Sequence, residues 1–127
     1  MSQARETMKR ADLRGVRILV VEDQWHIATS LTSLLELEGM EVCGPVGKIA
    51  DAHRLAEERE PELAIVDINL KGELAYSLID ALHDQGVRIV VISGYAELSQ
   101  LSEKVTAALQ KPFHDSELLG SLRRALK

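Results

Sequence analysis

Cys43 is the single cysteine among 127 residues. Its isolation excludes an intramolecular disulfide and any zinc or iron–sulfur site built on several thiolates, and it fits a reducing compartment, so a cytoplasmic location is expected. Basic residues are in deficit: 15 Lys and Arg against 20 Asp and Glu leave a formal charge of −5. That is the wrong sign for a chain whose whole surface grips nucleic acid or anionic lipid. No apolar run approaches the roughly 18 residues of a membrane span. Residues 1–14 mix Arg5, Lys9, Arg10 and Arg14 with Glu6 and Asp12 and lack the apolar centre of a secretory signal. They read as a tail or loose first helix ahead of one domain over residues 15–127. Neither a Gly-rich phosphate loop nor a Pro/Gly/Ser-rich linker is present, so no output module is expected within this chain. What remains is ordinary globular material, 46% apolar and 28% charged. That is enough to bury one core without covalent staples.

The order of that material is regular. Residues 16–21, Val-Arg-Ile-Leu-Val-Val, form a β-branched run suited to a strand buried on both faces, and it ends on Glu22 and Asp23. Ile27, Leu31, Leu34 and Leu35 then recur at helical spacing until Gly39. Residues 41–45 predict a short second strand stopped by Gly44-Pro45. Ile49, Ala52, Leu55 and Ala56 predict a helix ending before Pro61, and residues 62–66 a third strand running into Asp67. Ala75, Leu78, Ile79 and Leu82 mark the next helix, followed by a strand over 88–92 that runs into Ser93-Gly94. A shorter helix is expected from about residue 96 to 104 and a weak strand over 105–109. A last helix then carries Leu118, Leu119, Leu122 and Leu126. Alternating strands and helices need crossover connections, which argues for an α/β fold, a (βα)5 doubly wound parallel sheet. The flavodoxin-like order 2-1-3-4-5 is taken from that class of sheet rather than from periodicity.

In such sheets chemistry collects beyond the carboxyl ends of the strands. Those positions here are Glu22 and Asp23, Asp67, Ser93 and Lys111. Three carboxylates within about 5 Å repel pairwise by roughly 3 kcal/mol at an effective dielectric of 20, so a cation is required. Lys111 supplies one charge. A hard divalent ion with oxygen ligands, Mg²⁺, supplies two more, held by Glu22, Asp23, Asp67 and the backbone carbonyl of Asn69. Asp67 is then a carboxylate nucleophile able to form an acyl phosphate, with Lys111 and the Ser93 hydroxyl on the phosphoryl oxygens. The donor must arrive already activated.

Together these residues resemble the receiver domain of two-component response regulators. The matching pieces are Glu22-Asp23, Asp67 within Ala64-Ile65-Val66-Asp67-Ile68-Asn69-Leu70, Ser93 within Val91-Ile92-Ser93-Gly94-Tyr95, and Lys111-Pro112-Phe113. The resemblance spans residues 16–127. It implies a phosphoacceptor switch rather than an enzyme, with Asp67 charged from a phosphohistidine on a sensor histidine kinase or a phosphotransfer protein. It further implies a cis Lys111-Pro112 bond and a downstream protein partner on the face of the fourth helix, fifth strand and fifth helix. Direct nucleic-acid contact and membrane insertion are not expected. The family's aromatic switch residue, three positions before the lysine, is Ala108 here. The loop after Asp67 reads Asn69-Leu70-Lys71-Gly72-Glu73 in place of the family's usual one. These features, with Ser93-Gly94-Tyr95, are similar to the atypical FAT GUY receivers, single-domain partners of HWE-type kinases, although Val87-Arg88-Ile89 lacks the Pro-Phe pair of that group. Tyr95 and its loop are therefore expected to carry the readout.

Each residue also has a plainer reading. An Asp at a strand end is commonly a cap, a lysine is commonly solvated, and Ser93 suits an N-cap. Asn69 fits either orientation of a water or shaping of its loop. His26, His53, His83 and His114 show no metal-ligand spacing, and only His26, beside the acidic pair, is placed to face the site. Cys43 reads as a small buried hydrophobe and Arg123, Arg124 and Lys127 as a favourable charge at a helix C-terminus. A pseudo-receiver, used purely as an interaction or dimerisation scaffold, is the alternative function. A haloacid dehalogenase-type phosphatase is disfavoured by Asn69, where a second Asp is wanted. An FMN carrier is disfavoured by Glu22-Asp23, where a phosphate loop would begin.

Overall fold

The computed structural model describes residues 12–94 and 103–126. Five parallel strands form the central sheet: β1 (Arg17–Val21), β2 (Glu41–Val46), β3 (Leu63–Asp67), β6 (Arg88–Ser93) and β7 (Ala107–Gln110). They lie in the order β2-β1-β3-β6-β7, which is the expected 2-1-3-4-5 arrangement of the five long strands. The described helices are α1 (Trp25–Leu37), α2 (Ile49–Arg59), α3 (Tyr76–Asp84) and α4 (Asp115–Ala125). None of them is long and apolar enough to cross a membrane.

The sheet is stiff because its central strands are buried on both sides. All of β3 is buried, and alternate residues of the three central strands serve opposite cores. Leu19, Val21, Ala64, Val66, Ile89 and Val91 pack with Ala52 and Ala56 of α2 and Leu78, Ile79 and Leu82 of α3. Ile18, Val20, Leu63, Ile65, Val90 and Ile92 pack with Leu31 and Leu35 of α1 and Leu118, Leu122 and Ala125 of α4. This two-residue alternation is why the sequence shows continuous β-branched runs rather than an apolar/polar alternation. Leu13, ahead of residue 15, is also buried in the α1/α4 core. Cys43 is buried and free, and burial pushes its thiol above the ordinary value.

Three local features differ from the sequence expectations. β2 does not stop at Gly44-Pro45 but passes through it: Leu19 pairs with Cys43 and Val21 with Val46, so one extra β2 residue is accommodated in a bulge. Gly44, at φ 101°, makes this turn, and a Cβ there would stand 3.0 Å from both Val20 O and Val46 N. Second, the stretch after Asp67 is not a plain loop. β4 (Asn69–Leu70) and β5 (Glu73–Leu74) form a small antiparallel hairpin, with Lys71 and Gly72 at φ 50° and 87° in its two-residue turn. Third, the last strand begins at Ala107 rather than at residue 105. Val105 instead packs against the α2/α3 core, and the edge strand β7 alternates between half-buried and exposed residues. The helix expected over about 96–104 falls mostly on residues 95–102, outside the described residues; Glu103 and Lys104 lie in a turn.

Helix α1 supplies a direct test of how the core is built. Leu35 is fully buried, whereas Leu37, one half-turn on, is 83% exposed. Leu35→Ala is expected to lower unfolding free energy by about 2–5 kcal/mol, and Leu37→Ala to leave it within about 0.5 kcal/mol, as read by urea denaturation.

Candidate functional site

The strand ends named from the sequence converge at one edge of the sheet. β1 ends at Val21, so the next two residues, Glu22 and Asp23, emerge just past the carboxyl end of the strand, while Asp67 is the last residue of β3. One carboxylate oxygen from each of Glu22, Asp23 and Asp67 lies within 4.8 Å of the others. Glu22 and Asp67 are buried, and Asp23 is half-buried. Ser93 closes β6, and Lys111 follows β7 directly. The two loops are tied by a hydrogen bond from the Lys111 N–H to the Ser93 carbonyl at 2.8 Å. The Lys111-Pro112 peptide is cis, in agreement with the resemblance, and so is Gly44-Pro45.

Two of the carboxylates are held by the same device. The Gln24 N–H donates to Glu22 Oε2 at 3.0 Å, and the Asn69 N–H donates to Asp67 Oδ1 at 3.1 Å. Each acid thus captures a backbone N–H two residues downstream, a local turn that points its second oxygen inward. The inward oxygens meet Lys111. Its ammonium donates to Asp67 Oδ2 at 3.0 Å and lies 3.1 Å from Glu22 Oε1, an ion pair without hydrogen-bond alignment. The Ser93 hydroxyl is also buried and has no hydrogen-bond partner among the described residues.

The electrostatics follow from this crowding. Burial, followed by the Asp67 charge, pushes Glu22 from an ordinary 4.5 up to about 7, against the opposing pull of the Gln24 N–H and Lys111. Burial works against the Lys111 ammonium as well, but its hydrogen bond to Asp67 and its pairing with the Glu22 charge outweigh that cost and its pKa is raised. Among the described residues a single ammonium thus pairs with two of the three carboxylates and none pairs with Asp23. The donor set consists of hard, anionic oxygens, including an inward Glu22 oxygen without a hydrogen bond. It fits a hard divalent cation such as Mg²⁺ and offers nothing to a soft metal.

The remaining candidates are placed as follows. Asn69 is exposed in β4, and its side-chain oxygen accepts the Gly72 N–H at 2.8 Å. Of its two possible roles, shaping the hairpin is the one for which the structure supplies a contact. Ala108 is exposed on β7, in register with Val91. Tyr95 lies outside the described residues. His26 is exposed at the start of α1 and lines a groove of about 500 Å³ with Leu31, Leu34, Lys111, Pro112 and Phe113. Among the described residues no histidine joins a metal-capable cluster. Sequence reasoning missed Val46 and Gly47 at the end of β2. The Glu22 N–H donates to Val46 O at 2.9 Å, and Gly47 lies against Asp23. The only trace of them in the sequence is a glycine shortly after a Gly-Pro pair, too weak to interpret alone.

Comparison with known proteins agrees with this geometry. The response regulator receiver domain family matches residues 18–123. Among curated relatives, the transcriptional regulatory protein DesR of Bacillus subtilis is 28% identical over 116 residues, covering 87% of this chain and 58% of the relative. The transcriptional regulatory protein PrrA of Mycobacterium bovis is 32% identical over 117 residues, covering 87% of this chain and 50% of the relative. The chain spans about half the length of these curated relatives. Among solved structures, a CheY-like receiver domain protein from Methanospirillum hungatei superposes with a TM-score of 0.78 at 26% identity, covering 88% of this chain and 94% of that one. SdrG from Sphingomonas melonis superposes with a TM-score of 0.75 at 28% identity, covering 89% and 98% respectively. With the family's model matching residues 18–123 and the sheet in the order of a CheY-like receiver fold, the chain belongs to the receiver domains of two-component response regulators.

Proposed function

We propose that this receiver is a phosphorylation-driven switch in which Asp67 is the acceptor. The observation that carries the reading is the position of Asp67: buried, 3.0 Å from the Lys111 ammonium, with the Glu22 and Asp23 carboxylates within 4.8 Å. A carboxylate oxygen of Asp67 attacks the phosphorus of an activated donor, a phosphohistidine on a sensor histidine kinase or phosphotransfer protein. The new O–P bond forms as the P–N bond breaks, and the departing imidazole nitrogen takes up a proton from solvent. Mg²⁺ bound by Glu22, Asp23, Asp67 and the Asn69 carbonyl would neutralise charge on the transferring group. Lys111 then exchanges its Asp67 oxygen for a phosphoryl oxygen, and the buried Ser93 hydroxyl finds its acceptor on another. Nothing is turned over for export; the product is the modified chain itself, read by a protein partner on the β7/α4 side. A kinase of the HWE type fits the similarity to the atypical receivers.

The test is incubation with acetyl phosphate and Mg²⁺ followed by intact-mass measurement. One phosphoryl group is expected on the wild type and none on Asp67→Asn, with an unchanged far-ultraviolet circular dichroism spectrum. Uptake by Asp67→Asn sinks the site assignment. No uptake by the wild type, from acetyl phosphate or a competent kinase, favours the scaffold alternative. Lys111→Ala is expected to accept phosphate but to lose most of the accompanying change in Trp25 fluorescence, because the group that links the phosphoryl oxygens to the β7 loop is gone.

The same cluster gives a pH dependence. In metal-free buffer the folded-state pKa of Glu22, about 7, lies above its ordinary 4.5. Folding therefore favours the protonated form. The stabilisation is fully present below 4.5 and is lost as pH rises through about 7. Urea denaturation in EDTA is expected to show about 3 kcal/mol lost by the wild type between the two limits, and a markedly flatter profile for Glu22→Gln. Equal slopes for the two proteins would contradict it.

A further inference from the structure

Gly47, the residue after β2, lies against the acidic site at Asp23. A Cβ built on it would stand 3.1 Å from Asp23 Cα, 3.3 Å from Asp23 Cβ and 3.7 Å from the Glu22 carbonyl oxygen. Carbon atoms in good contact sit about 3.5–4.0 Å apart, so a methyl group here would have to push Asp23 away by a few tenths of an ångström. The atoms it meets are Asp23's own backbone and Cβ, not the far end of a flexible side chain. The approach is imposed by the β2 bulge. Passing one extra residue through Gly44-Pro45 brings the Val46 carbonyl onto the Glu22 N–H at 2.9 Å and leaves Gly47 facing Asp23.

Asp23 also differs from its two partners in how it is held. Glu22 and Asp67 are each pinned by a downstream backbone N–H and by Lys111. Among the described residues none donates a hydrogen bond to the Asp23 carboxylate. Its place in the cluster is therefore set through its backbone. We infer that Gly47 is a positioning residue for the metal site: its missing side chain lets the Asp23 backbone close against β2, and this sets the separation of the Asp23 carboxylate from those of Glu22 and Asp67. This rests on the proposed reading of the cluster as a divalent-cation site. Residues that orient metal ligands without touching the metal commonly change affinity by about 10–100-fold when altered.

The experiment uses Mn²⁺ alone as the probe, on the metal-stripped full chain, with electron paramagnetic resonance reading the free ion. Gly47→Ala is expected to weaken Mn²⁺ binding about tenfold, while its urea midpoint in EDTA stays near that of the wild type. Gly120→Ala, a methyl added on α4 where only the Arg124 side-chain end lies at 3.4 Å, is expected to bind as the wild type does. In an Asp23→Ala background the further effect of Gly47→Ala should fall below about twofold, since the group it positions is absent. Unchanged affinity in Gly47→Ala overturns the inference. So does a tenfold loss that persists in the Asp23→Ala background, or a Gly47→Ala chain that does not fold in EDTA, which would make the glycine a requirement of the fold. A wild type that binds no Mn²⁺ fails before any substitution is made and overturns the metal reading itself.

Discussion

The Lys111 ammonium, 3.0 Å from Asp67 and 3.1 Å from Glu22, is the contact on which the upper edge of this molecule depends. Three carboxylates converge there against one positive charge. Such a group is short of cation by construction, and a buried acid in it has two ways out: it takes a proton or it gains a counter-ion. The upward shift of Glu22 expresses the first. The stem of Lys111 is anchored where its backbone N–H bonds the Ser93 carbonyl between β6 and β7, so its ammonium reaches the acids from one fixed point. The charge deficit thus follows from the strand ends that bring these side chains together.

A site of this kind weakens the structure that carries it, and the burial pattern shows what offsets it. The floor beneath the acids is the set of strands buried on both faces, with successive residues committed to opposite cores. A register slip of one residue would exchange the two cores and bring the strand-end residues out of alignment. The packing that stabilises the sheet is therefore the same packing that aims Glu22, Asp67 and Ser93 at one point. Beyond that floor Glu22 and Asp67 make local turns, each using a backbone N–H of its own loop. Orientation is thereby secured within each loop, and Lys111 then ties the two loops together.

This division also explains what could be read in the sequence. Residues 16–21, 62–66 and 88–92 announce themselves because burial on both faces demands β-branched residues in series, and the polar residue that follows each run marks the site. Asp67 and Lys111 were legible as a pair only through the topology, since 44 residues separate them. The features that escaped are those that need two strands in register or an uncommon backbone state. The Asn69–Leu74 hairpin turns through Lys71 at φ 50°, and lysine carries no signal for that region. Gly44-Pro45 has the composition of a stop, yet as a bulge it carries the strand onward. The closeness of Gly47 to Asp23 exists only after the bulge has moved β2 along β1.

The small residue at position 108 constrains how a change at Asp67 can travel. Ala108 is exposed on β7 and offers only a methyl group, so no large side chain swings there between a buried and an exposed position. Lys111 stands immediately after the same strand, and its N–H bonds the end of β6. On the proposed reading, transfer of Lys111 from an Asp67 oxygen to a phosphoryl oxygen pulls on this loop directly. The displacement reaches β7 through the main chain and reaches α4 through Pro112 and Phe113, the latter packed against the α1/α4 core. A loop held to β6 by a backbone bond can transmit such a displacement without an aromatic rotor. On that reading, Ala108 supplies no rotor, and the Lys111 loop carries the displacement itself.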